Sequence, residues 1–118
     1  MEVEGLGWLG IRTERSEETA RFFREVMGLE ETRRECDVVG CAFPDDAEME
    51  VWRLEDEFHS FFGAGPVVGL RVDDVEEARA AMETAGVEFL GPVQRSGRSV
   101  WSDFRGPDSN VYEIIARR

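Results

Sequence analysis

The side chains able to do acid–base, nucleophilic or metal chemistry are few in kind. The chain has one histidine, His59, two cysteines, Cys36 and Cys41, and many carboxylates, and all 14 basic residues are arginine. Without lysine there is no Schiff base, P-loop lysine or lysine general base. A single imidazole also excludes sites that need two histidines from one chain, including the two-histidine zinc motifs. The cysteines, in Cys-Asp-Val-Val-Gly-Cys, are too widely spaced for a redox pair and lack the second pair a zinc site requires. They are expected to be reduced, strand-borne small hydrophobes. His59 falls in a loop, where a lone histidine is expected to be solvated. What remains is carboxylates near aromatic rings: Glu50 two residues before Trp52, and Glu113 beside Tyr112, with Trp8 and Trp101 elsewhere. A carboxylate in an aromatic pocket can serve as a general base, because burial raises its pKa.

The 118 residues are enough for one domain with its own core, and 42% apolar residues with 8 Phe and 3 Trp supply that core. The formal charge of -12 argues against a phosphate backbone as partner, so no nucleic-acid binding is expected. No stretch approaches the roughly 18 apolar residues of a membrane span. The start, Met-Glu-Val-Glu-Gly, has neither a basic head nor an apolar run, so a cytoplasmic protein without a membrane partner is expected. The acidic runs at 45–50 and 54–57 provide either a solvated face or a field that attracts a cationic ligand.

Positioning comes from an internal repeat. Sliding the chain by 59 residues, half its length, lays Trp8-Leu-Gly-Ile-Arg-Thr13 on Val67-Val-Gly-Leu-Arg-Val72 and Glu17-Glu18 on Glu76-Glu77. Each copy reads as a strand, a helix and a glycine, Gly28 or Gly86. The first helix, about 16–27, has Ser16 as cap and an apolar stripe of Thr19, Phe22, Phe23 and Val26. The second, about 75–85, has Asp74 as cap with Glu77 three residues on, and a stripe of Val75, Ala78, Met82 and Ala85. Strands are predicted at 30–36, 39–43 and 48–54, then at 87–90, 98–104 and 110–116, with Arg95-Ser-Gly97 and Gly106-Pro-Asp-Ser109 among the breaks. The pattern is βαβββ twice, module 1 about 1–57 and module 2 about 66–118, in a single domain. The segment 55–65 between them reads as a loop whose three Phe pack locally or at an interface.

Taken together, Trp8 to Leu29, Val67 to Gly86 and the ending Phe104-Arg-Gly-Pro-Asp-Ser-Asn-Val-Tyr-Glu-Ile114 resemble the vicinal oxygen chelate superfamily of glyoxalase I, bleomycin-resistance proteins and extradiol dioxygenases. The resemblance covers nearly the whole chain. It implies an α+β fold in which two βαβββ modules form an open eight-stranded, cup-shaped barrel with covering helices, commonly as a homodimer. In metal-dependent members each module supplies two ligands, from its opening and closing strands. By position these are Trp8 and Val67, which cannot donate a lone pair, and Glu50 and Glu113, which can. Two of the four ligands are therefore missing, and no cofactor is expected.

Strand alternation adds neighbours to that site. With Trp8 facing inward, Gly10 and Arg12 share its face, as Gly69 and Arg71 share that of Val67, while Leu9 and Ile11 pack under the helix. Glu48, Glu50 and Trp52 share a face; for 100–104 alternation leaves open whether Trp101 and Asp103 or Val100, Ser102 and Phe104 point inward. The ligand pocket is thus expected to comprise Trp8, Arg12, Glu50, Trp52, Val67, Arg71, Trp101 and Glu113. Arg12 and Arg71 are placed to pair with the two glutamates as an internal network. Two functions fit: metal-independent binding of a small aromatic or cationic molecule, as in the bleomycin-resistance branch, or a divalent-metal lyase, isomerase or dioxygenase using Glu50 and Glu113. A vestigial or regulatory dimer without ligand is the third possibility.

Overall fold

The computed structural model describes residues 1–61, 66–108 and 110–117. The chain forms two compact units, Trp8–Val67 and Val68–Arg118, the latter joined by Met1–Gly7. The predicted loop residues 62–65, Phe62 among them, and Ser109 of the tail motif lie outside the described residues.

In the first unit the elements run β1 (Gly5–Arg12, from Trp8 onward), α1 (Ser16–Arg21), β2 (Glu30–Arg34), β3 (Val38–Ala42) and β4 (Glu48–Trp52). Strand β4 lies between β1, to which it is parallel, and β3, to which it is antiparallel; β2 pairs antiparallel with the other edge of β3. Alternation sorts the residues as predicted. Met49, Val51 and Cys41 are buried, with Leu9, Ile11, Phe23, Leu29 and Phe43 packed against them, while Trp8, Gly10, Glu50 and Trp52 take the other face.

Helix α1 departs from expectation. It begins after Arg15 rather than on a Ser16 cap, and Ser16 is its first, buried residue. After Arg21 it widens into a π-helix, Phe22–Val26, in which the Met27 amide donates to the Phe22 carbonyl. A π turn takes one residue more than an α turn and so rotates the residues beyond it about the helix axis. Phe23 stays on the core, but Phe22 and Val26 turn outward, Val26 to 71% exposure, so the predicted stripe breaks. Both cysteines are free, but only Cys41 is strand-borne and buried; Cys36 is exposed in the β2–β3 bend.

The second unit contains β5 (Val67–Arg71), α2 (Val75–Thr84), β6 (Gln94–Ser96), β7 (Ser99–Arg105) and β8 (Val111–Arg117). Strand order is β5-β8-β7-β6, parallel between β5 and β8 and antiparallel elsewhere. The Asp74 carboxylate caps α2 by accepting from the Glu77 amide at 3.0 Å. Gly86, with φ of 91°, takes the left-handed turn that ends it. Val75, Ala78 and Met82 pack against Val72, Val100, Phe104, Ile114 and Ala116; Ala85 is the C-cap and exposed. The predicted strand at 87–90 is absent: Phe89 makes only an isolated bridge to Phe104. The edge strand is instead β6, where a break was expected, because Gly97, with φ of 57°, helps to make a tight hairpin turn between Ser96 and Ser99.

Candidate functional site

The first unit places a half-buried carboxylate at the centre of one row across its sheet. Gly10 on β1, Glu50 on β4, Gly40 on β3 and Arg33 on β2 stand in register. Neither glycine carries a side chain, so the space on either side of Glu50 is open to longer reaches from next door. Trp8 lies over Gly10 and donates its indole N–H to Glu50 Oε1 at 2.7 Å. A Cβ on Gly10 would overlap the six-membered ring of Trp8. From the other side Arg33 passes Gly40 and donates Nη1 to Glu50 Oε2 at 2.5 Å, with its Nη2 on Glu35 at 2.8 Å. Both oxygens of Glu50 are therefore held. Its side chain is 13% exposed, and burial pushes the carboxyl above its usual range against the opposing pull of Trp8 and Arg33.

Arg12 does not join this network, contrary to expectation. Its Nη2 donates to the Leu54 carbonyl at 2.5 Å and its Nε to the Asp56 carbonyl at 3.2 Å. An arginine two strands away reaches Glu50 because the glycine at 40 clears its path, whereas the backbone after β4 turns its carbonyls towards Arg12. Trp52, on the same face as Glu50, has Arg33 Cζ 5.8 Å from its ring centroid and the His59 ring stacked at 3.9 Å. His59 is buried rather than solvated: its Nδ1 is 2.7 Å from Asp56 Oδ2, which also accepts its backbone amide at 3.0 Å. Phe58 packs edge-on to His59 but is itself exposed, and Phe61 lies further off. The indole N–H of Trp52 is buried and finds no acceptor among the described residues.

The second unit resolves the open alternation on β7. Val100, Ser102 and Phe104 go to the core under α2, so Trp101 and Asp103 take the helix-free face. There Asp103 stands opposite Glu113, Trp101 opposite Ile115, and Gly69 of β5 flanks Glu113. The two carboxylates thus face each other across the β7–β8 ladder. Burial, the larger effect, raises the Asp103 pKa, and the neighbouring Glu113 carboxyl opposes that rise. Asp103 Oδ1 is buried without a partner among the described residues. Contrary to expectation, no Arg71–Glu113 ion pair occurs among the described residues; Arg71 runs instead beside Gly5 and Gly7. Val67 is buried.

The residues at the superfamily's ligand positions do not fit a divalent ion. An indole and an isopropyl group offer no lone pair, and Glu50 has both oxygens engaged. No group of three or more His, Cys, Asp or Glu side chains able to hold a metal occurs among the described residues. Likewise, among them no helix is long and apolar enough to cross a membrane. Asp103, Arg33 and Asp56 were absent from the predicted pocket. Asp103 was visible as one of two alternating sets, whereas Arg33 and Asp56 depend on a register and a loop turn that no local pattern announces.

A family model of the Glyoxalase/Bleomycin resistance protein/Dioxygenase superfamily matches residues 5–114. The chain belongs to that superfamily. Solved structures share its fold: methylmalonyl-CoA epimerase from Mycobacterium tuberculosis aligns at 16% identity and TM-score 0.77, over 98% of this chain and 89% of that one. A hypothetical protein from Bacillus halodurans aligns at 16% identity and TM-score 0.75, over 96% and 94%. The Mn(II)-bound glyoxalase from Novosphingobium aromaticivorans aligns at 17% identity and TM-score 0.75, over 97% of this chain and 39% of that one. No curated protein sequence matches. At such identities the likeness shows the α+β fold of paired βαβββ modules and nothing of substrate.

Proposed function

We propose that this protein binds a small aromatic or cationic molecule on the helix-free faces of its sheets, without a divalent ion and without turning the molecule over. The observation that carries this reading is the closure of Glu50 by Trp8 and Arg33. An ion would have to displace a hydrogen bond and an ion pair at once, and would then find neither position 8 nor position 67 able to ligate. The same faces offer what a flat cation needs. On β7 and β8 Trp101 offers ring surface on the same face as the opposed carboxylates Asp103 and Glu113, which a ligand's positive charge can pair with. Binding of this kind works by sequestration, with affinity set by an already ordered platform. A homodimer in the cytoplasm is the setting proposed for it.

A divalent-metal lyase, isomerase or dioxygenase built on Glu50 and Glu113 is the second reading, and the Mn(II)-bound glyoxalase neighbour favours it. One experiment separates the two. Metal content of the purified protein is measured beside a thermal-shift screen of Ni, Zn, Mn and Fe salts and of cationic aromatic antibiotics. Stabilisation by a cationic aromatic with no metal response supports binding. Stoichiometric metal that is lost in Glu50→Gln or Glu113→Gln overturns it.

A further inference from the structure

The internal repeat ends both opening strands on an arginine, Arg12 on β1 and Arg71 on β5, and the two are used differently. Arg12 spends its guanidinium on the carbonyls of Leu54 and Asp56. Arg71 meets no carboxylate, carbonyl or ring among the described residues, in a chain with 26 acidic side chains. It is nonetheless half-buried, and half-burying a charge without a partner costs free energy. The start of β1, which belongs to the same unit, makes room for it with glycine. A Cβ on Gly5 would stand 3.2 Å from Arg71 Nη2, and Gly5, with φ of 151°, has a backbone that side-chain-bearing residues rarely take. A Cβ on Gly7 would stand 2.8 Å from Ile115 Cγ2 and 3.3 Å from Arg71 Cβ. The fold thus keeps a glycine-lined slot for an arginine that it does not use itself.

The surroundings of Arg71 suit a ligand. Arg71 stands beside Ile115 and Ile115 beside Trp101, in one row across β5, β8 and β7. Ile115 is buried, so an apolar floor joins a guanidinium to an indole. Strands lie about 4.8 Å apart, which puts the two ends of the row about 10 Å from each other, the span of a single ring with a short side arm. We propose that Arg71 is an anion-binding site, and that the aromatic molecule bound on this face carries a carboxylate or phosphate. The planar guanidinium takes the oxyanion as a bidentate pair while the ring lies over Ile115 and Trp101. An amine elsewhere on the same ligand faces Asp103 and Glu113, one row away. The net charge of -12 repels anions at long range, so an acidic ligand depends on this local pair. For the ring the proposal rests on the binding reading above; the acidic group is what it adds.

Isothermal titration of the full chain at neutral pH tests this with 3-phenylpropionate, phenyl phosphate, inorganic phosphate and the neutral 3-phenylpropanol, in EDTA and again with Mn(II). In EDTA at least one ringed acid is expected to bind about tenfold or more tighter than the alcohol. Arg71→Gln should abolish that advantage and leave both alcohol binding and Tm unchanged, because Arg71 has no partner in the fold to lose. Arg71→Lys, which keeps the charge without the planar fork, should restore part of it. Failure of both acids to bind, or equal affinity for them in Arg71→Gln and the parent, overturns the anion site; the binding reading then stands on the alcohol alone. Inorganic phosphate that binds as tightly as phenyl phosphate overturns the part given to the ring. Acid binding that needs both Arg71 and Mn(II) supports the anion site and overturns the metal-free reading.

Discussion

Replacing Trp8 by Phe tests whether the indole N–H, rather than the bulk of the ring, holds Glu50. The substitution removes a 2.7 Å bond to a carboxylate that is 13% exposed. Hydrogen bonds to charged groups contribute about 1.5–3 kcal/mol, and trimming a buried indole to a phenyl adds about 1 kcal/mol. The expected loss is therefore about 2.5–4 kcal/mol at neutral pH, or a Tm lower by about 10–16 °C for a domain of this size. A double-mutant cycle with Glu50→Gln separates the parts, because the ring is trimmed in both backgrounds and cancels. With a neutral amide as acceptor the bond falls to about 0.5–1.5 kcal/mol, which leaves a coupling of about 1–1.5 kcal/mol. The coupling should depend on pH. Burial holds the folded pKa of Glu50 above its unfolded value of about 4.3, so the cost of the charged form is present above the folded pKa and relieved as pH falls through it. Loss of the indole N–H removes a group that favours the carboxylate, and its penalty therefore shrinks over the same fall. Urea unfolding of the four proteins at pH 8 and pH 5 measures this. A coupling near zero at pH 8, or one that grows at pH 5, would refute the argument.

Gly10→Ala should lose about 1–3 kcal/mol in urea unfolding, since its Cβ overlaps Trp8 and displaces the indole from Glu50. Asp74→Ala removes the side-chain acceptor at the start of α2 and should cost about 1 kcal/mol by the same measurement. Asp103→Asn should raise Tm at pH 8, because burial raises the Asp103 pKa and the charged form costs stability above it; the gain should vanish on acidification through that pKa.

Much of the fold was readable because two local signals recur at half the chain length. The strand alternation at Trp8–Arg12 assigned Leu9 and Ile11 to the core, and Asp74 with Glu77 fixed the start of α2. What failed did so where a tertiary choice overrides a local one. A π turn cannot be seen in the spacing of Phe22, Phe23 and Val26, since the same residues make a sound α-helical stripe. The apolar residues at 87–90 look like a strand but pack as a loop, and a polar hairpin around Gly97 supplies the edge. At the site, Glu50 and Trp8 were found from the superfamily pattern, but their direct bond was not. Arg12 was assigned to Glu50 by alternation on its own strand, whereas the arginine that reaches it sits two strands away across a glycine. The burial of His59 rests on the carboxylate of Asp56, a contact that becomes legible only once the turn is seen.

The π-helix at Phe22–Val26 is equivalent to one residue added to an ordinary helix without moving its ends. Deleting a single residue there would let the segment rewind to α, turning the N-terminal part of the helix by about 100° relative to the C-terminal part. Phe22 and Val26, now on the surface, would compete with Phe23 for the place beside Met49 and Val51. The helix thus stores two alternative registers against one core, and the extra residue selects between them.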